Sequence, residues 1–82
     1  MKYIVLRTPD GEAPVLFPCG FVHCQVAEKF APMAVASAGF VTITGGAIAC
    51  SGASASLGLG ARPRHDTALV ARALAEKSGE AR

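Results

Sequence analysis

The chain begins with two apolar runs separated by a turn sequence. Lys2 to Arg7 reads Lys-Tyr-Ile-Val-Leu-Arg, and its β-branched and aromatic residues are typical of a β-strand. The middle of this run is apolar at consecutive positions, so both faces should be covered, as in a central strand. Thr8 to Glu12 contains the Pro and Asp-Gly residues of a tight turn, and Ala13 to Phe17 is again apolar. The pattern predicts a β-hairpin.

After Pro18 and Gly20 the apolar spacing changes from that of a strand to that of a helix. Val22, Val26 and Phe30 recur at intervals of four residues, which places them on one face of a helix from Phe21 to Phe30. This helix should end near Ala31, because a proline disfavours the α conformation of the residue before it.

No charged residue lies between Phe30 and Arg62. The first part of this segment is long enough for a transmembrane helix, but glycine and proline interrupt it and leucine is absent there, so we expect no membrane span. Met33 to Thr44 predicts a long strand with a bend or bulge at Gly39. Gly45-Gly46 suits a two-residue hairpin turn, and the chain should return as a strand from Ala47 to Ser51 or Ala55.

The C-terminal third predicts a loop followed by a helix. Gly52 to Arg64 is rich in small residues, and Leu57 and Leu59 should hold this loop against the core. Asp66 is the expected N-cap of the last helix, since its side chain can accept a backbone hydrogen bond in the first turn. The apolar stripe of that helix has four residues: Leu69, Val70, Ala73 and Leu74.

These elements predict an α+β fold of order ββαββα, with two helices packed on one face of a four-stranded, largely antiparallel sheet. The chain of 82 residues is short enough for a single domain, residues 1–82. Only 17% of its residues are charged while 51% are apolar, so self-association would cover surface that charges do not. A homodimer is the expected assembly, with contacts from six residues of the uncharged segment: Val35, Ser37, Phe40, Val41, Ile43 and Ile48.

Cysteine and histidine offer the sharpest candidate chemistry. Thiolate and imidazole are ligands that zinc prefers, and four residues could contribute: Cys19, His23, Cys50 and His65. The spacing does not match a standard zinc finger, and free cysteines are more often small buried apolar residues. Cys19 also precedes a helix that contains His23, so a reactive thiol is an alternative to a metal site. An odd number of cysteines, three, favours reduced thiols and the cytoplasm.

A basic concentration near the last helix offers a third hypothesis. Arg62, Arg64 and Arg72 could contact phosphates of nucleic acid, although Asp66 lies among them and no aromatic residue is interleaved for base stacking. The net charge of +2 is weak for a nucleic-acid-binding protein. The sequence therefore favours a non-enzymatic protein without a cofactor that binds a second copy or another protein. Nucleic-acid binding and a metal or thiol site are the alternatives.

Overall fold

A four-stranded antiparallel sheet forms the centre of the fold. The computed structural model describes the backbone of residues 1–80 and the side chains of residues 1–76. β1 (Lys2–Thr8) pairs with β2 (Gly11–Phe17) on one side and β3 (Val35–Thr44) on the other. β3 in turn pairs with β4 (Ala47–Ser51), so the strand order is β2-β1-β3-β4. The predicted α+β class, the antiparallel sheet and the central position of β1 are confirmed.

Both predicted hairpin turns are present. Between β1 and β2, the Thr8 hydroxyl donates a hydrogen bond of 2.7 Å to the carbonyl oxygen of Gly11 and accepts one of 3.2 Å from the Asp10 N–H. Between β3 and β4, Gly45 and Gly46 have φ values of 57° and 84°. Two consecutive positive φ values are those of a type I′ turn, which matches the twist of the strands it joins.

The two helices lie on opposite faces of the sheet, so the prediction that both pack on one face is wrong. α1 (His23–Glu28) contributes Val26 to a core cluster with Ile4 and Leu6, whereas α2 (Pro63–Glu80) contributes Val70 to a cluster with Tyr3 and Val5. Because successive side chains of β1 point to opposite faces, these clusters lie on opposite sides of the sheet. The apolar run of β1 has two faces to bury, and each helix covers one. We call these sides the α1 face and the α2 face.

The segment between β4 and α2 helps to cover the α1 face. It contains a two-stranded hairpin of β5 (Ala53–Ser54) and β6 (Leu59–Gly60). Leu57 and Leu59 pack against the α1-face cluster, as predicted for this loop.

α1 is shorter than the predicted helix. Val22 is the N-cap residue in an extended conformation, and its side chain is exposed rather than part of the apolar stripe. Val26 is buried and Phe30 packs against the same cluster from beyond the end of the helix. Within the described residues, no helix combines the length and the apolar character needed to cross a bilayer.

The irregularity in β3 lies away from the predicted position. The pairing between β1 and β3 shifts between Val35 and Ser37, not at Gly39. Gly39 serves a different purpose, because a Cβ atom added there would lie 2.5 Å from the backbone oxygen of Ser51. The glycine therefore permits a close approach of backbone to backbone.

Candidate functional site

A buried carboxylate, Asp66, is the centre of a polar cluster on the α2 face. Its Oδ2 accepts hydrogen bonds of 2.5 Å from the Tyr3 hydroxyl and 2.9 Å from the Arg62 backbone N–H. Its Oδ1 accepts bonds of 2.9 Å from the Ser37 hydroxyl and 3.1 Å from Arg62 Nε. Asp66 lies inside the first turn of α2, so its prediction as the N-cap is wrong. Its carboxylate accepts a bond from Arg62, the residue before the helix, and bonds from Tyr3 and Ser37 in the sheet.

The cluster extends to the surface through Arg62. The guanidinium of Arg62 donates to both carboxylate oxygens of Glu12, at 3.1 and 3.0 Å. Nε2 of His65 lies 2.6 Å from Oε1 of the same carboxylate. Glu12 follows the turn between β1 and β2, so these bonds tie that turn to the start of α2. Such two-pronged pairing of arginine with a carboxylate is geometrically specific.

Burial and hydrogen bonds determine the protonation states of Asp66, Tyr3 and Glu12. Burial works against ionisation of Asp66, but the hydrogen bonds from Tyr3, Arg62 and Ser37 outweigh it and lower the pKa of this carboxyl. Burial, followed by the bond to Asp66, raises the pKa of Tyr3 well above its ordinary value. Hydrogen bonds from Arg62 and then from His65 lower the pKa of Glu12 to about 2. At neutral pH the Tyr3 hydroxyl therefore donates to an ionised Asp66.

This arrangement fits a structural role better than catalysis. Tyr3, Ser37 and Asp66 have no exposed surface. Within the described part of the chain, no buried side-chain nitrogen or oxygen lacks a hydrogen-bond partner. A substrate would have to displace α2 to reach the carboxylate. A buried polar network that satisfies itself holds its elements in one arrangement.

The four candidate metal ligands are not brought together. His23 is buried on the α1 face, where Nε2 lies 2.9 Å from the carbonyl oxygen of Gly39. Its ring is edge-on to Phe17 and Phe40, at centroid distances of 5.5 and 5.7 Å. Cys19 is exposed, while Cys50 lies in the α2-face cluster. Among the described residues, no three His, Cys, Asp or Glu side chains are grouped so that they could hold a metal ion.

The surroundings of Cys50, His23 and His65 work against reactive-thiol chemistry at these three residues. Burial raises the pKa of the Cys50 thiol, which disfavours the nucleophilic thiolate. The ring of His23 is held by the Gly39 carbonyl at one nitrogen, and His65 is bound to Glu12. Reactive-thiol chemistry at Cys19 stays a prediction.

The three arginines proposed to contact nucleic acid differ in how far their side chains are engaged within the protein. Arg62 is committed to Glu12 and Asp66, which neutralise its charge locally. Arg64 and Arg72 are exposed on α2. The use of these arginines for nucleic-acid binding stays a prediction.

The six predicted contact residues are divided between the core and the surface. Ser37 and Val41 are buried on the α2 face, and Val35 and Ile48 are half-buried. Phe40 and Ile43 retain 39% and 55% of their surface, so these two are the most available for contact with another chain.

Exposed apolar side chains gather at one end of the sheet. Lys2 pairs with Phe40 in β3, and its Nζ donates a bond of 2.8 Å to the carbonyl oxygen of Phe21. The Met1 carbonyl accepts a bond of 2.7 Å from the Val41 N–H. Five exposed apolar side chains lie at this end of the sheet, with Phe40 on the α1 face and Ile43 on the α2 face, and we call them the apolar end: Met1 52%, Phe21 50%, Val22 42%, Phe40 39% and Ile43 55%.

The tip of the β3–β4 hairpin projects from the apolar end. Residues 42–49, which we call the arm, lie past the part of β3 that pairs with β1. All are exposed except Ile48, which is half-buried, and none is charged.

Sequence reasoning found Phe40 and Ile43 of the apolar end but missed Met1, Phe21 and Val22. The sequence pattern predicts Val22 in the buried stripe of a longer helix, and the lone apolar residues Met1 and Phe21 belong to no pattern.

The two edges of the sheet differ in their chemistry. β2 carries Glu12 and Pro14, and a charge or a proline discourages further strand pairing. β4 reads Ala-Ile-Ala-Cys-Ser and has neither. The Cys50 N–H points away from β3 and donates a bond of 3.0 Å to the Thr67 hydroxyl. Because backbone groups alternate along a strand, those of Ile48 point to the same open side.

Comparison with known proteins provides no relative from which a function could be transferred. No protein-family model matches the chain, and no curated protein or solved structure matches it significantly.

Proposed function

We propose that the protein is not an enzyme and acts by binding another polypeptide, in the first place a second copy of itself. The observation that carries this proposal is the apolar end, where five large apolar side chains are exposed beside an uncharged arm. Exposed apolar side chains scattered singly are ordinary, whereas several at one end of a sheet favour an interaction surface there.

The polar cluster supports the same conclusion. On the α2 face, the hydroxyls of Tyr3 and Ser37 both donate to the carboxylate of Asp66 in the core. Their role in holding α2 on the sheet explains them without a substrate.

The proposed compartment is the cytoplasm. Cys19, Cys24 and Cys50 are free thiols that differ in exposure and lie in different parts of the fold. Free thiols persist where glutathione and thioredoxin keep the compartment reducing.

Light scattering coupled to size-exclusion chromatography tests the proposal. The wild-type protein should show a mass above that of the 8.3 kDa chain at micromolar concentrations. The double variant Phe21→Ser and Ile43→Ser should return to the monomer mass, because it removes two side chains of the apolar end that are at least half exposed and do not pack against the core clusters. Met33→Ser is the matched control, since Met33 is 44% exposed at the opposite end of β3. A wild-type protein that stays monomeric at all concentrations would overturn self-association.

A further inference from the structure

We infer that β4 is the strand through which two copies of this chain pair, edge to edge and antiparallel, about a two-fold axis at Ile48. This inference rests on the proposed function and names the partner and the contact. The result would be one continuous sheet running through both copies. Each copy contributes β2-β1-β3-β4, and the two β4 strands lie side by side at the centre.

The first support comes from the backbone. An edge strand presents N–H and C=O groups that can pair with another chain, and natural proteins protect such edges with charge, proline or a covering element. On β2 those protections are present as Glu12 and Pro14. On β4, among the residues that the structure describes, the protection is the bond from the Cys50 N–H to the Thr67 hydroxyl, close to the end where β4 enters the loop. The groups of Ile48 remain on the open side of the strand.

The second support is that a two-fold axis places the same short segment of each copy opposite itself, which requires that segment to be uncharged. In an antiparallel pair with its axis at Ile48, that residue faces itself, and Ala47 of each copy faces Ala49 of the other. Two like charges directly opposite would be destabilising. The arm meets this requirement because the chain has no charge between Phe30 and Arg62. A charged partner strand would find no complementary group here, so a second copy is the partner that suits this edge.

The third support comes from the side chains beside the axis. Ile48 faces Ile43 across the β3–β4 ladder, so the two side chains lie on the same face of the sheet. Pairing at Ile48 would bring the isoleucine pairs of both copies together. The two Ile48 side chains would lie side by side, each flanked by Ile43 of its own chain, which is 55% exposed in the single chain.

A backbone-specific variant tests the inference. Ile48→Pro removes the N–H that points away from β3 and leaves the bonds between β3 and β4 in place. In the symmetric dimer this removes two hydrogen bonds, one from the residue-48 N–H of each copy. Since each bond contributes about 1 kcal/mol, the dimer dissociation constant measured by sedimentation equilibrium should rise about thirtyfold. Ile48→Val is the control, since it keeps the N–H and a β-branched side chain. Circular dichroism verifies that each variant is folded.

Cross-linking provides a second measurement that does not depend on the proline variant. In a Cys19→Ser and Cys24→Ser background, Ile48→Cys should form a disulfide between copies, because hydrogen-bonded antiparallel residues lie about 5.5 Å apart between Cα atoms. Thr44→Cys is the control, since Thr44 is exposed in the same arm but faces Ala47 of its own chain.

The outcomes separate the two proposals. Cross-linking at residue 48, with weakened association of Ile48→Pro, supports pairing through β4. If the wild type dimerises, the double variant at Phe21 and Ile43 is monomeric, and neither change at residue 48 has an effect, the β4 axis is wrong while the proposed function stands. If the wild type is monomeric throughout, both proposals are overturned.

Discussion

Tyr3 and Asp66 are joined by a hydrogen bond of 2.5 Å although they are 63 residues apart in the sequence. The bond connects the central strand with the first turn of α2. It involves an ionised acceptor in the core, where a charged partner makes a hydrogen bond stronger than one between neutral groups. The position of α2 on the sheet is therefore fixed by polar contacts as well as by the packing of Val70.

Asp66→Asn should destabilise the fold by about 3 kcal/mol, because removing one partner of a buried charged network leaves the others without a suitable acceptor. The amide keeps the shape of the side chain but places an N–H₂ group among donors. Denaturant unfolding measures the change. Asp10→Asn, in the exposed turn between β1 and β2, is the control and should change stability by less than about 0.5 kcal/mol. Equal stability of the two variants would contradict a central role of Asp66.

Tyr3→Phe should cost about 2 kcal/mol, the range expected for a hydrogen bond to a charged group. The phenyl ring keeps the packing against Val5 and Val70, so the loss reports on the hydroxyl. A double-mutant cycle with Asp66→Asn provides the check. The two losses should be smaller in combination than their sum, since both variants remove the same bond. Additive losses would show that the two residues act independently.

Acid should weaken the fold between pH 4.5 and pH 2. The pKa of Glu12 falls from its ordinary 4.5 to about 2 in the folded protein, first through the Arg62 bonds and then through His65. A group with a lowered pKa on folding stabilises the protein above the unfolded value and loses that contribution as the pH falls through the folded one. Asp66, whose pKa is also lowered, acts in the same direction.

Thermal melts at a series of pH values measure this effect. Tm should be level near neutral pH and fall steadily below pH 4.5. Glu12→Gln should lower Tm at neutral pH and flatten the decline, because its amide does not titrate. An unchanged pH profile in this variant would show that the Glu12–Arg62 pair does not contribute to stability.

Gly39→Ala should destabilise the protein by about 2 kcal/mol, because the added methyl group meets the Ser51 backbone oxygen at 2.5 Å. Gly20→Ala is a well-matched control. A Cβ atom at Gly20 has nothing within 4 Å, and this glycine has no positive φ. Unfolding experiments on both variants should therefore separate the steric effect from the loss of glycine flexibility. Similar stability of the two would place the close approach in doubt.

The local pattern of the sequence predicts the four strands of the main sheet and the turns between them, but not the short hairpin of β5 and β6. Asp10-Gly11 and Gly45-Gly46 each specify a turn through local conformational preference, and the flanking apolar residues specify the strands. The order of the sheet followed because hairpin partners are neighbours. The four consecutive apolar residues of β1 also carried the signal that both faces are covered. The same four residues require cover on both faces, which is why one helix lies on each side of the sheet.

The contacts of Asp66 could not be predicted from local pattern. Asp66 suits an N-cap by its neighbours, but Tyr3 and Ser37 approach it only when the sheet and α2 come together. The same limit applies to the apolar end, because Met1 and Phe21 are neighbours only through the bonds of Lys2 and Val41. Contacts between distant segments determine both sites.

The covering of β1 from two sides has a consequence for synthesis on the ribosome. β1 is made first, and a nascent chain that has released residues 1–60 contains every strand and the helix of the α1 face. Tyr3 and Val5 nevertheless lack most of their cover until Val70 has emerged, because α2 is the helix that packs on their side of the sheet. The domain therefore completes its core only after translation of its last helix, and until then the apolar α2 face is open to chaperones.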